Sequence, residues 1–502
     1  MRAPVSRANP RHLARRQSLR RRQYAAAQVH RLTGEWLPVG TDINTIITSS
    51  STLVRNRVRQ LVRDFPPFFR AANNLVAAVV GRGIRLQAKP LRPDGSLDRA
   101  LARIIEARWQ AWQHQADVAG RLHFAELQQL ATRQRCENGE WLFVTRPPKR
   151  PGRHPFALQA FDAEALTDLG ARPQAGAEIQ QGVEFDAETG EALAYHFAPP
   201  TGLLGNVGSA VRVDAGAVIH GYQVLRPGQL RGISPFAAAV LLARDLGEYL
   251  GAEVDAAKLA SKWLAFVSTA DPAGWQAMRT TTDSQTGQRI ETLENAIIEY
   301  LRPGESINFQ SHSRPNGAFE AFSRFLLRLV AVVVDVPYEV LSGDYQDTNY
   351  TTLRASRMDW RQQLAVHHLL MELGFCAPTY RRWLDAEVLH GLIRIPGYWQ
   401  RRELVQNASW IPPGMPALDP LKESKANRDD ITSGLKSPQE IMLARGADPE
   451  QVLDDLQEWQ RMCQERGLAF ETTSTTSTAL ASNPATILAE GEGGQKSLKI
   501  IK

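Results

Sequence analysis

A chain of 502 residues with 43% hydrophobic and 22% charged residues has an ordinary globular composition and is too long for one simple core, so roughly two to four folding units are expected. Its three cysteines, Cys136, Cys376 and Cys463, stand far apart in no paired or metal-ligand spacing, and no apolar run approaches the ~20 residues of a bilayer-spanning helix; both facts argue against a disulfide framework and a membrane partner. The formal net charge of +6 joins two unlike parts: residues 1–92 hold 18 Lys+Arg against 3 Asp+Glu, a net +15, and the rest of the chain sums to −9.

The arm over residues 1–35 carries Arg2, Arg7, Arg11, Arg15, Arg16, Arg20, Arg21 and Arg22 ahead of its first acid, Glu35. Self-repulsion and few large apolar residues predict disorder in isolation. Its Arg-rich, acid-poor text also has the composition of an organellar transit peptide. From Ser96 the pattern turns helical: Leu97, Leu101, Ile104, Ile105, Trp109 and Trp112 share one face of a period of about 3.6, with Asp94-Gly95-Ser96 as turn and N-cap. A second helix is expected over about 124–136, ending near Asn138-Gly139. Strand text follows, with Trp141, Phe143 and Thr145 alternating and 156–161 alike. Residues 182–186 and 192–197 should form a hairpin across Glu188-Thr189-Gly190, so 140–225 reads as a mixed, largely antiparallel region.

Ser234-Pro235 opens the longest helical stretch, about 236–262, with acids early and bases late in line with the helix dipole. After a Thr-rich polar segment, strand text at 296–301 and a Pro-Gly turn, a second apolar helix is expected from Phe319 to Val333, stopped by Pro337. Two helices thus flank a small insert, a stalk with a tip. A polar loop, Gly343, Asp344, Tyr345, Gln346, Asp347, Thr348, Asn349 and Tyr350, leads into a helix to about Leu373. Residues 378–420 are rich in Trp and Pro and should pack onto the body. Ser437-Pro438-Gln-Glu440 is a capping box, a last helix covers about 449–465, and the Thr/Ser-rich text beyond 471 is expected to be disordered.

The residues support no catalysis and no cofactor. Gly494-Gln-Lys-Ser497 lacks the upstream glycine of a P-loop, and Gly232-Ile-Ser234-Pro235 lacks the glycine that must follow a nucleophile-elbow serine. His368 and Glu372 stand one helical turn apart beside His367, but such pairs are more often surface or packing residues than metal ligands. Asp335, Asp344 and Asp347 gather near one loop without the base that a two-metal nuclease would need.

Several short texts in fixed order carry a resemblance. They are Phe69-Arg-Ala-Ala-Asn-Asn-Leu75 with Gly81-Arg-Gly-Ile84; Trp109 and Trp112 with Ala116-Asp117; Arg133 to Glu140 with its Gly-Glu; and His220-Gly-Tyr-Gln-Val-Leu-Arg-Pro-Gly-Gln-Leu-Arg-Gly-Ile-Ser-Pro235. Leu301-Arg-Pro-Gly-Glu305, Val336-Pro-Tyr-Glu-Val-Leu341, Asn349-Tyr350 with Arg354, and Asp419-Pro-Leu-Lys-Glu423 continue the series. Across most of 65–470 the chain resembles the lambda-type phage portal proteins.

That resemblance implies an α+β, mostly helical portal fold of wing, stem, clip and crown. The implied divisions are a basic arm at 1–35, wing at 36–235, first stem helix at 236–265, clip at 266–315, second stem helix at 316–336, tunnel loop and wing helices at 337–415, crown-like helices at 416–470, and a tail at 471–502. It implies a dodecameric ring of identical subunits at one capsid vertex of the virion, assembled in the bacterial host cytoplasm. The ring would conduct double-stranded DNA during packaging and ejection. Implied partners are the terminase large subunit, head-completion and connector proteins, and the major capsid and scaffold proteins. Loop 343–350 would face the DNA, and Arg15, Arg16, Arg20, Arg21 and Arg22 would touch DNA or capsid.

Physical chemistry runs alongside. A conduit must let a polyanion slide, so an acidic body suits it better than a basic clamp. The apolar faces of the two long helices, with Leu242, Leu246, Leu250, Phe322, Phe325, Leu326 and Leu329, exceed what a thin stalk can bury alone and predict packing against neighbouring subunits. The competing reading is a non-catalytic DNA-binding or scaffold protein acting through the basic arm.

Overall fold

The computed structural model describes residues 40–149, 151–199, 209–262, 266–267, 291–293, 296–300, 319–346 and 348–468. The basic arm with its arginines, the tail, Asp347 and most of the insert 266–315 lie outside the described residues.

Two helices that the sequence pattern did not announce come first among the described residues, α1 (Ile43–Asp64) and α2 (Pro66–Val79). The Thr- and Ser-rich start of α1 has weak intrinsic helix preference. It is secured by Asp42, whose carboxylate accepts from the Thr45 amide at 2.9 Å, and by burial of Ile47, Val58 and Val62. Phe65 is extended and Pro66 takes the first helical position of α2, as a ring without an N–H allows. β1 (Arg85–Ala88) follows, then α3 (Arg99–Gln113). The N-cap of α3 is Asp98, whose carboxylate accepts from the Leu101 amide at 3.1 Å, not Ser96 as expected. Ser96 is instead held by Asp94 in a separate turn. Of the expected apolar stripe, Ile105, Trp109 and Trp112 are buried with Ala102, whereas Ile104 faces outward.

α4 (Phe124–Asn138) ends at Gly139, whose φ of +91° favours glycine. It feeds directly into β2 (Glu140–Arg146), the centre of a three-stranded sheet between β3 (Ala157–Phe161) and β8 (Val218–Tyr222), antiparallel to both. A second sheet is a meander of β4 (Ala177–Gln180), β5 (Val183–Asp186), β6 (Ala192–Phe197) and β7 (Val211–Asp214). The expected hairpin is its β5–β6 pair, with a register shift between Glu184 and Phe185.

The stalk is built from α5 (Val240–Lys262) and α6 (Phe319–Val334). Ahead of α5, Ala237–Ala239 form a short tight turn, so the regular helix starts a little later than its Ser-Pro signal. Within the insert, β9 (Phe266–Val267) runs parallel to β11 (Ala296–Tyr300), which pairs antiparallel with β10 (Glu291–Leu293).

After α7 (Tyr338–Ser342) comes α8 (Tyr350–Met371). It does not stop near Leu373 as expected. A wide π-turn over Glu372–Cys376 carries it into α9 (Ala377–Leu389). Pro378 would clash inside a regular helix, and one wide turn ahead of it relieves the clash. Gly374 lies there against the ring of Trp141, where a β-carbon would come within 2.8 Å. Short α10 (Arg402–Val405) precedes β12 (Ala408–Ile411), which pairs with β1, and α11 (Pro420–Thr432), α12 (Pro438–Ala444) and α13 (Pro449–Glu465) complete the described chain. The expected capping box at Ser437 and Glu440 is present.

One core is aromatic: Trp109 packs edge-on against Phe124, Tyr380 and Trp383 with centroids 5.0–5.7 Å apart, which brings α3, α4 and α9 together. A second core joins α1 and α2 to the roots of the stalk through Phe68, Leu75, Phe236, Val330 and Val334.

Candidate functional site

Three features stand out from the body: the free side of the stalk, the loop at its foot, and a buried charge cluster that fixes the stalk's root.

In α6 successive residues turn by about 100°, which sets two apolar groups on opposite sides of the helix. Val330, Ala331 and Val334 face the second core and are buried. Phe322, Phe325, Leu329 and Val332 face away and are 45%, 55%, 39% and 78% exposed. A helix that is apolar on both sides is one that packs on both sides. The far end of the pair is closed by Tyr249 of α5, whose ring lies 5.8 Å from Phe319 and meets Phe322 edge-on at 5.1 Å. The contribution of α5 differs from expectation. Leu246 is buried at 3% exposure within its own chain, and Leu242 packs partly against the second core, because α5 lies along α1. Leu250 and Leu326 are half-buried. The free apolar side therefore belongs chiefly to α6.

The stretch 343–350, so far as it is described, is a braced turn. Gly343 caps α7 at a φ of +75°, and the Asp344 amide donates to Ser342 Oγ at 3.1 Å. The Asp344 carboxylate accepts from the Gln346 amide at 3.2 Å and from the Tyr338 hydroxyl at 3.3 Å, and Arg324 of the stalk stands 3.4 Å away. At the other end Asn349 caps α8 by accepting from the Thr352 amide at 2.8 Å. Tyr345 and Tyr350 are left exposed, and the Lys422 ammonium lies 5.5 Å over the Tyr350 ring. Of the three aspartates, Asp347 lies outside the described residues, Asp344 braces this turn, and Asp335 binds His367 Nε2 at 2.8 Å. Arg135 donates to His367 Nδ1 at 2.7 Å, so that nitrogen accepts and Nε2 carries the proton toward Asp335. Asp335 itself has a φ of +60°, the point where the chain turns out of the stalk. His368 Nε2 lies 3.3 Å from the Ala78 carbonyl. Both histidines are thus engaged in packing bonds, which accounts for the His-His-Glu text.

Glu140 was legible only as part of a motif. Its buried carboxylate accepts from Arg231 Nε at 3.0 and 2.9 Å and from the Gly232 amide at 2.8 Å, and its Oε2 lies 3.0 Å from His220 Nε2. Burial alone would raise its pKa, but Arg231 and His220 outweigh burial and hold it well below the ordinary carboxylate range. The separate texts 133–140 and 220–235 thus meet in space. Their glycines are explained by the same contact: a β-carbon on Gly139 would collide with the Ile233 backbone, and one on Gly221 with the Trp141 ring. The Ser234 hydroxyl then donates to the Cys136 carbonyl at 2.6 Å, so the cluster sets the direction in which the chain enters the stalk.

An α+β body bearing a stalk whose outer side is apolar is the form of a subunit made to be assembled with others. Residues 30–367 match the family model described as phage portal protein, lambda family, and the chain belongs to that family. A curated relative, the probable portal protein of Halomonas phage phiHAP-1, is 26% identical over 475 residues, spanning 89% of this chain and 88% of the relative. Portal protein B of Escherichia phage lambda is 27% identical over 171 residues, 32% of this chain and 31% of that protein. Among solved structures, a chain from the neck of an empty gene transfer agent particle is similar at 17% identity and a TM-score of 0.41, covering 82% of this chain and 96% of that one.

Proposed function

We propose that copies of this portal protein close into a dodecameric ring at one capsid vertex through the outer side of α6, and that double-stranded DNA passes through the ring during packaging and ejection. The observation that carries this reading is the exposed apolar row Phe322, Phe325, Leu329 and Val332 on a helix whose opposite side is already spent on its own core. Burying a large apolar side chain contributes roughly 1.5–3 kcal/mol when it starts fully exposed, and these start about half exposed. Repeated at every subunit contact, that is enough to favour closure. In the same reading the insert 266–315 docks the terminase large subunit during packaging and connector proteins afterwards, loop 343–350 faces the DNA, and the subunit contacts capsid and scaffold proteins after assembly in the host cytoplasm. The ring is a structural conduit without catalysis of its own.

The test is mass measurement of the purified full chain and of a variant with Phe325→Asp and Leu329→Asp. The parent should run as a large closed oligomer and the variant as a folded monomer. A parent that stays monomeric over a range of salt, or a variant that still forms rings, counts against the proposal.

A further inference from the structure

The stripe of α8 that faces α11 carries Arg354, Arg357 and Arg361, three positions on one side of the helix within about 10 Å of its length. Among the described residues none of the three makes an ion pair or a side-chain hydrogen bond, and neither does Arg445 beside them. Lys436 pairs with Asp430 at 2.6 Å, Lys422 with Asp419 at 3.1 Å, and Arg324 with Glu320 at 2.6 Å. Two adjoining clefts of about 690 and 220 Å³ open beside the stripe, and Arg361 lines both. The opposite wall offers Glu423, Asp430 and Glu440. Asp430 is neutralised by Lys436, and Glu440 is occupied with the Ser437 amide at 3.4 Å. That leaves the charges of Glu423 and Glu440 against three guanidinium groups and Arg445.

A row of solvated surface arginines would carry no inference, but Arg357 is not one. Its Nε is buried and has no partner, so a donor has lost water without gaining an acceptor. An anion seated in the cleft that Arg357 lines would stand beside this guanidinium and offset part of that cost through its charge. The row starts one helical turn after Asn349, the cap that closes loop 343–350, so the loop with its exposed tyrosines and the arginine row form one continuous surface.

We infer that the cleft between α8 and α11 binds the phosphate backbone of DNA through Arg354, Arg357 and Arg361. The inference rests on the reading above that DNA passes the ring, and it extends the contact beyond the loop. A linear row of guanidinium groups in an open cleft matches a repeating polyanion better than a single small anion, and backbone contact carries no sequence preference. Because every copy presents the row, contacts of this kind would retard sliding as well as bind.

The experiment uses full-length rings in which Arg15, Arg16, Arg20, Arg21 and Arg22 are replaced by Gln, so that the arm does not dominate binding. To this parent R354Q, R357Q and R361Q are added together, and binding of a short duplex of arbitrary sequence is followed by fluorescence anisotropy over a salt series. The expected result is intact rings, at least about tenfold weaker binding, and a slope of log affinity against log salt shallower by about 2–3. The corresponding triple lysine variant should retain most of the binding. Equal affinity and slope in parent and triple Gln variant would overturn the inference while leaving the conduit untouched. Rings that fall apart in the variant, with its melting temperature unchanged, would also overturn it, since the row then holds an acidic segment of a neighbouring copy. Parent rings that bind no duplex even at low salt would also overturn the inference, whereas the conduit, which needs passage and not affinity, would stand. Should the triple variant fail to fold, R354Q and R361Q singly, both at exposed positions, should each lower the slope by about 1.

Discussion

The Glu140 carboxylate is shared by Arg231, Gly232 and His220, and removing its charge isolates Arg231, which is buried beside it. Glu140→Gln should therefore destabilise the fold by about 3–5 kcal/mol, the cost of breaking one partner out of a buried pair, measurable by chemical denaturation. The sign with pH follows from the direction of the shift. Glu140 is held below its ordinary value of 4.5, so its contribution is fully present above that value and is lost as pH falls through the lower native one. Glu106 behaves in the opposite sense. Burial, together with Asp448 and Glu450, pushes its carboxyl up to about 7, despite the Ala88 amide that donates to it at 2.7 Å. Its contribution is present below about 4.5 and is lost as pH rises through about 7. Glu106→Gln keeps the acceptor for Ala88, so it should leave stability unchanged at about pH 4 and raise it relative to the parent at about pH 8; equal denaturation midpoints at about pH 8 would refute this. Neither role was legible in the sequence. The partners of Glu140 stand 80 to 92 residues away along the chain, and the two acids that press on Glu106 stand at the start of the last helix, so nothing in the local text marks either acid as unusual.

α6 offers a comparison within one helix. Val330→Asp puts a charge into the second core and should unfold the body, seen as loss of the cooperative thermal transition, whereas the aspartates at Phe325 and Leu329 should leave that transition in place. Equal behaviour of the two variants would mean that the sides are not distinct. Periodicity found this helix because nearly every position is apolar, but for the same reason it could not say which side the chain uses for itself. In α5 the sharing is reversed, and Leu246 shows how a leucine at a plausible contact spacing is spent internally. α1 and α2 escaped notice for different causes: in α1 a run of Thr and Ser lowers the helical signal and only Asp42 and tertiary burial settle the matter, whereas α2 opens on Pro66-Pro67, which reads as a break. The π-turn escaped because Pro378 looks like a stop, and only the packing of Gly374 on Trp141 shows why the helix continues past it.

For the whole molecule, the division between a basic arm and an acidic remainder was readable from counts alone, and so was the stalk with its insert. The arrangement of the body was not, because its joints are long-range. Shortening loop 343–350 while keeping Gly343 and Asn349 as caps should leave rings intact and reduce DNA packaging, scored as filled capsids; normal filling would remove the loop from that task. Among the described residues the strand pairing that spans most of the chain is that of Arg85–Ala88 with Ala408–Ile411, continued by the Lys89 amide on the Asn407 carbonyl at 2.9 Å. A chain leaving the ribosome exposes β1 early and must wait through more than 300 residues, including the whole stalk and its tip, before the mate arrives. Once α6 has emerged, an unpaired strand edge and the greasy side of α6 are both on offer, so newly made subunits are at their most vulnerable to clumping before synthesis passes Ile411. A stop codon introduced shortly before that point should yield insoluble fragments rather than a smaller working body.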